Sequence, residues 1–286
     1  MGLWYEETFK GTRLSLEVTD TFFSGKSEYQ KVEIFETREY GRALAIDSVF
    51  MTSEGDEFVY HEMLTHPALL TAKDPKRVLV IGGGDGGTVR EVLRHPGVEK
   101  CVMIEIDELV VRACQEHLPT IGTAWDDPRL DLRFADGIDY VKNSDEEPYD
   151  VILLDGTDPI GPGEVLFGME FFRGVKRMLK PNGIMALQSE TPMLLRDVFF
   201  ETQFKLRELF GKVHPYFGPV PLYASGIWSW TWCSDTQDHT AVDEGRAAPI
   251  VDGCKYYNLD IHRGAFALPN YVRRGIAAGP QDKKEG

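Results

Sequence analysis

One short segment constrains this chain more than any other. Residues 76–81 read as an apolar strand, Gly82-Gly83-Gly84-Asp85-Gly86-Gly87 follows directly, and residues 88–95 carry a helical pattern. Gly82, Gly84 and Gly87 satisfy G-x-G-x-x-G in the strand–turn–helix setting that gives the pattern its meaning. Glycines there let the backbone turn sharply and pass close to a ligand. Asp85 narrows the reading further. A carboxylate inside the turn opposes a pyrophosphate, which a dinucleotide site must welcome at the helix N-terminus. It suits a cationic ligand instead, such as a sulfonium carrying a free amine.

The remaining pattern extends that unit. Further strands are expected at 100–106, 130–134, 149–155 and 183–188, alternating with helices at about 108–117 and 169–179. Strands alternating with helices imply an α/β fold, a Rossmann-like doubly wound sheet that is mostly parallel. Residues 1–60 read differently. Alternating runs at 14–18, 29–36 and 43–46, punctuated by Gly11, Gly25 and Gly41, predict a small antiparallel β domain. Such a sheet is too thin to hold a large core alone and should lean on the rest of the chain. The expected division is a β-strand domain over 1–60, a Rossmann-like catalytic domain over 61–278, and a polar tail over 279–286.

Composition excludes several function classes. Lys and Arg number 31 against 46 Asp and Glu, a formal charge of −15. That surface repels nucleic acid and anionic lipid, and it draws cations toward any acidic cleft. No run approaches the roughly 18 to 20 uninterrupted apolar residues of a membrane span. Residues 1–7 lack the regions of a signal peptide, and Glu6 stands where a myristoylation signal wants Ser or Thr. A cytoplasmic location is expected. Cys101, Cys114, Cys233 and Cys254 are scattered, with no C-x-x-C pair and no His at ligand spacing. They read as structural thiols in a reducing compartment, and no metal site is expected.

The candidate site residues lie at the carboxyl ends of the expected strands, where open α/β sheets bind ligands. Glu105 stands about 20 residues past the glycines, the place of an acid that bridges ribose hydroxyls. Asp136-Gly137 follows the 130–134 strand and is placed to meet a base edge, although the pair is also an ordinary turn. Residues 155–164, D-G-T-D-P-I-G-P-G-E, follow the 149–155 strand and read as a stiff, shaped loop, although Asp158-Pro159 could also cap the next helix. Trp228, Trp230 and Trp232 alternate as the core face of a strand does, and Trp228 is also a candidate channel wall.

Together G-G-G-D-G-G, I-E-I-D at 104–107 and D-G-T-D-P-I-G-P at 155–162 resemble the spermidine synthase family. So do S-E-Y-Q-K-V at 27–32, D-E-F-V-Y-H-E-M at 56–63 and Y-Y-N-L-D-I-H-R-G-A-F-A-L-P at 256–269. The resemblance runs from about residue 4 to residue 270. It implies a methyltransferase-type catalytic domain behind the N-terminal β domain, a homodimer or homotetramer, and a gate formed by the 155–168 loop. It implies Asp155 as proton acceptor, and Asp158, Tyr60, His61, Tyr223 and Glu190 as residues that hold the amine substrate. Gln30, Asp85, Glu105, Asp136, Gly137 and Pro162 match positions that hold the nucleoside and its aminopropyl tail. Ala224 departs from the usual proline after Tyr223, Phe172 from the usual tyrosine, and 188–192 differs from some relatives.

The implied reaction moves an aminopropyl group from decarboxylated S-adenosylmethionine, a co-substrate, to putrescine. It needs neither cofactor nor metal. An alkylammonium is no nucleophile, so one amine must lose a proton to a carboxylate before it displaces the thioether. His61 reads as an orienting partner and not as that base. Agmatine, cadaverine or spermidine remain alternative acceptors. A putrescine N-methyltransferase and a non-catalytic polyamine- or nucleoside-binding protein remain alternative classes.

Overall fold

The computed structural model describes residues 2–157 and 166–280. Its N-terminal part is a five-stranded antiparallel sheet, ordered β1 to β5: β1 (Leu3–Phe9), β2 (Thr12–Lys26), β3 (Lys31–Thr37), β4 (Gly41–Ile46) and β5 (Val49–Ser53). The antiparallel β domain is as expected, although the 14–18 run is only the first half of a 15-residue strand. Strands β1 and β5 did not stand out in the sequence. The sheet does lean on its neighbour. Val32, Ile34, Leu44 and Ile46 form one core with Val110, Ala113, Cys114 and Leu118 of α3 (Glu108–His117) and the residue after it.

The second part is a seven-stranded sheet ordered β11-β12-β10-β9-β6-β7-β8. Its parallel strands are β6 (Arg77–Gly82), β7 (Lys100–Glu105), β8 (Leu130–Phe134), β9 (Tyr149–Asp155) and β10 (Leu179–Gln188). The hairpin of β11 (Lys212–Pro219) and β12 (Ile227–Ser234) closes one edge, with β12 antiparallel to β10. On one face lie α1 (Glu57–Thr71) and α2 (Gly87–Leu93), packed on Val78, Val80, Val151, Leu153, Trp230 and Trp232. On the other, α4 (Gly137–Asn143), α5 (Met169–Met178) and α6 (Arg196–Leu209) cover Leu79, Ile81, Ile152 and Leu187. Apolar runs such as V-I-L-L in β9 are what a strand covered on both faces requires. The tail of the described chain carries α7 (Glu244–Val251), α8 (Leu259–Ala265) and α9 (Asn270–Ala278).

Helix α1 spans residue 60, where the sequence reading drew the boundary between the two domains, and the sequence reading did not single it out. Only Phe58 of its fifteen residues escapes burial. A helix buried almost all round has no polar face, and so no 3.6-residue alternation to betray it. It also contains Pro67, which has no N–H to donate back to Met63. The Tyr216 hydroxyl fills that gap, donating to the Met63 carbonyl at 2.9 Å.

Among the described residues, no helix is long and apolar enough to cross a membrane, and no His, Cys, Asp or Glu group could hold a metal ion. Cys101, Cys114 and Cys233 are buried free thiols, and Cys254 is partly buried. Trp228, Trp230 and Trp232 are core residues as expected, at 7, 0 and 0% exposure.

Candidate active site

Strand order reverses at β6, with β7 and β8 on one side and β9 and β10 on the other. A ligand crevice opens at such a point, outside the carboxyl ends of the strands. Here Gly82 pairs in register with Asp155. The two chain segments touch so closely that a Cβ on Gly82, whose φ is +84°, would lie 2.1 Å from the Asp155 carbonyl. The Gly83 N–H donates to that same carbonyl at 3.0 Å. The glycine turn therefore fixes the backbone that presents Asp155.

The Asp155 carboxylate accepts from the Tyr60 hydroxyl at 2.7 Å and from Thr88 Oγ1 at 2.6 Å. Burial raises its pKa above the ordinary aspartate value, and the nearby Asp85 charge pushes the same way. His61 and the two hydroxyl donors pull against that rise without cancelling it. The result is a carboxylate more basic than usual, which suits a proton acceptor.

Beside it, His61 sits 2% exposed between two carboxylates. Nδ1 lies 2.6 Å from Glu57 Oε2, and Nε2 lies 3.2 Å from Asp85 Oδ2. Gly87 makes room for the ring, since a Cβ there would fall 2.3 Å from its atoms. Burial works against a charge on the imidazole, yet Asp85 and Glu57 outweigh it and raise its pKa well above the usual value. Asp85 also accepts from the Gly87 N–H at 2.9 Å and is held below its usual pKa, as His61 overcomes the cost of burial.

The nucleoside side of the crevice is built from three segments. Glu105 ends β7, 8% exposed, with Oε1 accepting the Asp107 N–H at 3.0 Å. Burial lifts its pKa to about 7, against the backbone N–H groups of Asp107 and Ile106. Gln30 reaches in from the N-terminal sheet and donates to Asp107 Oδ2 at 3.0 Å. Asp136 is exposed and caps α4, accepting the Ile138 N–H at 2.8 Å, while Gly137 lies against Ile81. Behind them, Ile81, Leu154, Leu166, Phe167 and Phe171 line an apolar cavity next to Gly156.

The remaining candidates lie toward β12. Glu190 is fully buried with φ +68°, a backbone state that non-glycine residues adopt only under local constraint. Gln188 supplies that constraint. Its Oε1 accepts the Glu190 N–H at 3.0 Å, and its Nε2 donates to Glu190 Oε1 at 3.1 Å and to the Gly156 carbonyl at 3.3 Å. Tyr223 stacks edge-on against Tyr60 and Trp228, and its hydroxyl donates to the Met51 carbonyl of β5. Asp158 and Pro162 lie outside the described residues.

The fold thus brings Asp155, Tyr60, His61 and Asp85 into one contact network, with Glu105 and Gln30 on one flank and Glu190 on the other. Sequence reading missed Thr88, Glu57, Arg90 and the bridging side of Gln188. Thr88 could have been suspected, as it opens the helix after the glycines. Glu57 and Arg90 carry no local signal, because their partners are distant in sequence.

Comparison with known proteins now decides the family. Residues 57–243 match the spermine/spermidine synthase domain, and residues 3–54 match the spermidine synthase tetramerisation domain. The chain belongs to the spermine/spermidine synthase family. Like other members it resembles the polyamine aminopropyltransferase of Thermoanaerobacter sp. (strain X514), 42% identical over 96% of this chain and 98% of that one. The polyamine aminopropyltransferase of Bacillus subtilis (strain 168) is 40% identical over 94% of this chain and 97% of its own. A crystal structure of spermidine synthase in complex with the transition-state analogue AdoDATO superposes with a TM-score of 0.93. It is 37% identical and covers 96% of this chain and 95% of that one. The spermidine synthase of Thermotoga maritima gives 0.90 at 36% identity, over 96% of this chain and 94% of that chain. This spermine/spermidine synthase family member is therefore an enzyme with the expected α/β, methyltransferase-like architecture.

Proposed function

We propose that this enzyme transfers the aminopropyl group of decarboxylated S-adenosylmethionine to putrescine, giving spermidine and methylthioadenosine. The observation that carries the reading is the half-buried Asp155 carboxylate, more basic than an ordinary aspartate, at the switch point beside the glycine turn. Asp155 takes a proton from one amine of putrescine as attack begins. That nitrogen forms a bond to the carbon next to the sulfonium, the carbon–sulfur bond breaks, and its electron pair stays on sulfur. Tyr60 and Thr88 orient the carboxylate, so little reorganisation accompanies the proton transfer.

Glu105 accepts hydrogen bonds from the ribose hydroxyls, Asp136 and Gly137 meet the adenine edge, and Gln30 and Pro162 help to hold the nucleoside and its aminopropyl tail. Asp85 retains lone pairs beyond those facing His61 and Gly87, and these receive the ammonium of the aminopropyl tail. Glu190 and Asp158 hold the distal ammonium of putrescine, and the rings of Tyr60 and Tyr223 line its path with His61 behind them. The chain works as a homodimer or homotetramer in the cytoplasm; the match of residues 3–54 to a tetramerisation domain supports the assembly.

A product assay by mass spectrometry tests this. Purified enzyme receives decarboxylated or intact S-adenosylmethionine, each with putrescine, cadaverine, agmatine or spermidine. Spermidine and methylthioadenosine are expected from the decarboxylated donor with putrescine. Preference for another amine would change the acceptor. Methylated amine from the intact donor would overturn the reading.

A further inference from the structure

His61 has an acceptor on both sides. An ionised carboxylate offers lone pairs and no proton, so a ring nitrogen facing one must itself carry the hydrogen. Glu57 faces Nδ1 at 2.6 Å and Asp85 faces Nε2 at 3.2 Å, which leaves the imidazole no neutral tautomer that satisfies both. Whether that holds depends on Glu57 staying ionised. Arg90 sees to it with a two-pronged grip, Nη1 to Oε1 at 3.0 Å and Nη2 to Oε2 at 2.8 Å. Arg90 is itself fixed by the Ile121 carbonyl and by Glu91, a fully buried carboxylate that also contacts His66 and Arg94.

We propose that Glu57, clamped by Arg90, is a positioning residue that keeps His61 a permanent cation, so that Asp155 is the sole proton acceptor and works beside a fixed positive charge. The inference rests on Asp155 being the base of the proposed transfer. The titratable and charged groups facing His61 are Glu57 and Tyr60 of α1, Asp56 before it, Asp85 in the glycine turn, Arg90 of α2 and Asp155 of β9. Arg90 reaches the ring only through Glu57. Of these groups, Asp85 and Glu57 raise the pKa of His61, while His61 in turn lowers that of Asp155.

The test is Glu57→Gln, which keeps the shape and changes the hydrogen bonding. The amide carries no charge, so the imidazolium keeps only Asp85 as counter-ion, Arg90 beyond the amide is no longer neutralised by residue 57, and both changes favour the neutral ring. Nitrogen NMR of histidine-labelled full-length protein, with His61 assigned by its loss in His61→Gln, reads the ring state without any turnover. The wild type should show an imidazolium at pH values where a free histidine is neutral, and Glu57→Gln a neutral ring at the same values. The acid limb of kcat/KM should then move up by about one pH unit, as Asp155 loses the cation beside it. KM for the amine should stay within about twofold. Arg90→Lys keeps the charge without the fork and should fall between the two.

A neutral His61 in the wild type would overturn the proposal. So would an unchanged imidazolium and unchanged pH profile in both variants. A fall in kcat equal at every pH, with raised KM, would overturn it too, since Glu57 would then merely support the fold. Absence of aminopropyl transfer would defeat the proposed function while leaving the NMR result to decide the state of His61.

Discussion

Lowering the pH from about 8 to about 6 should weaken methylthioadenosine binding about tenfold, because Glu105 titrates between them. A ribose presents hydroxyl donors, and a carboxylate accepts from both where a protonated acid must give up an acceptor site. Burial lifts Glu105 to about 7, with Asp107 and Asp155 adding to the rise. The ionised, binding-competent fraction is then about nine-tenths at pH 8 and about one-tenth at pH 6. The dissociation constant grows in that ratio, about 1.4 kcal/mol. The sign for stability is opposite. A carboxyl whose folded pKa is raised costs stability on ionising, so the free enzyme loses stability as pH rises from the ordinary carboxylate range through about 7, and bound nucleoside restores it. Calorimetry at three pH values, in buffers of different ionisation enthalpy, should find about half a proton released on binding at pH 7. Glu105→Gln should bind weakly with no pH dependence. A wild-type affinity flat across this range, or a slope that survives in Glu105→Gln, would refute the reasoning.

Asp155→Asn keeps the shape of the side chain and one acceptor for the Tyr60 and Thr88 hydroxyls, the other hydroxyl turning to accept from the amide, but cannot take a proton. Its kcat should fall by about 10² to 10⁴, with methylthioadenosine affinity within about threefold. Near-normal turnover in the purified variant would remove Asp155 as base. Tyr216→Phe leaves the Met63 carbonyl, freed by Pro67, buried without its donor. Denaturant titration should show a loss of about 1–3 kcal/mol, with kcat little changed because Tyr216 lies behind α1. An unchanged midpoint would mean that another group already satisfies that carbonyl.

Much of this protein is legible in its sequence because the relevant constraints are local. The glycine turn, the apolar strands around it and the acids at strand ends are short-range patterns, and each strand buried on two faces advertises itself as an apolar run. Those features place Asp85, Glu105 and Asp155 on one edge of one sheet before any coordinates are known. Tertiary structure decided the rest. Helix α1 is buried nearly all round, so no periodicity marks it, yet it delivers Tyr60 and His61 to the crevice. Glu57 and Arg90 meet across 33 positions of chain, and Tyr60 and Asp155 across 95. Such pairs are chosen by how helix packs on sheet. The pKa values that make the site work have the same origin, since burial and distant charges set them and neither is written in the neighbouring residues.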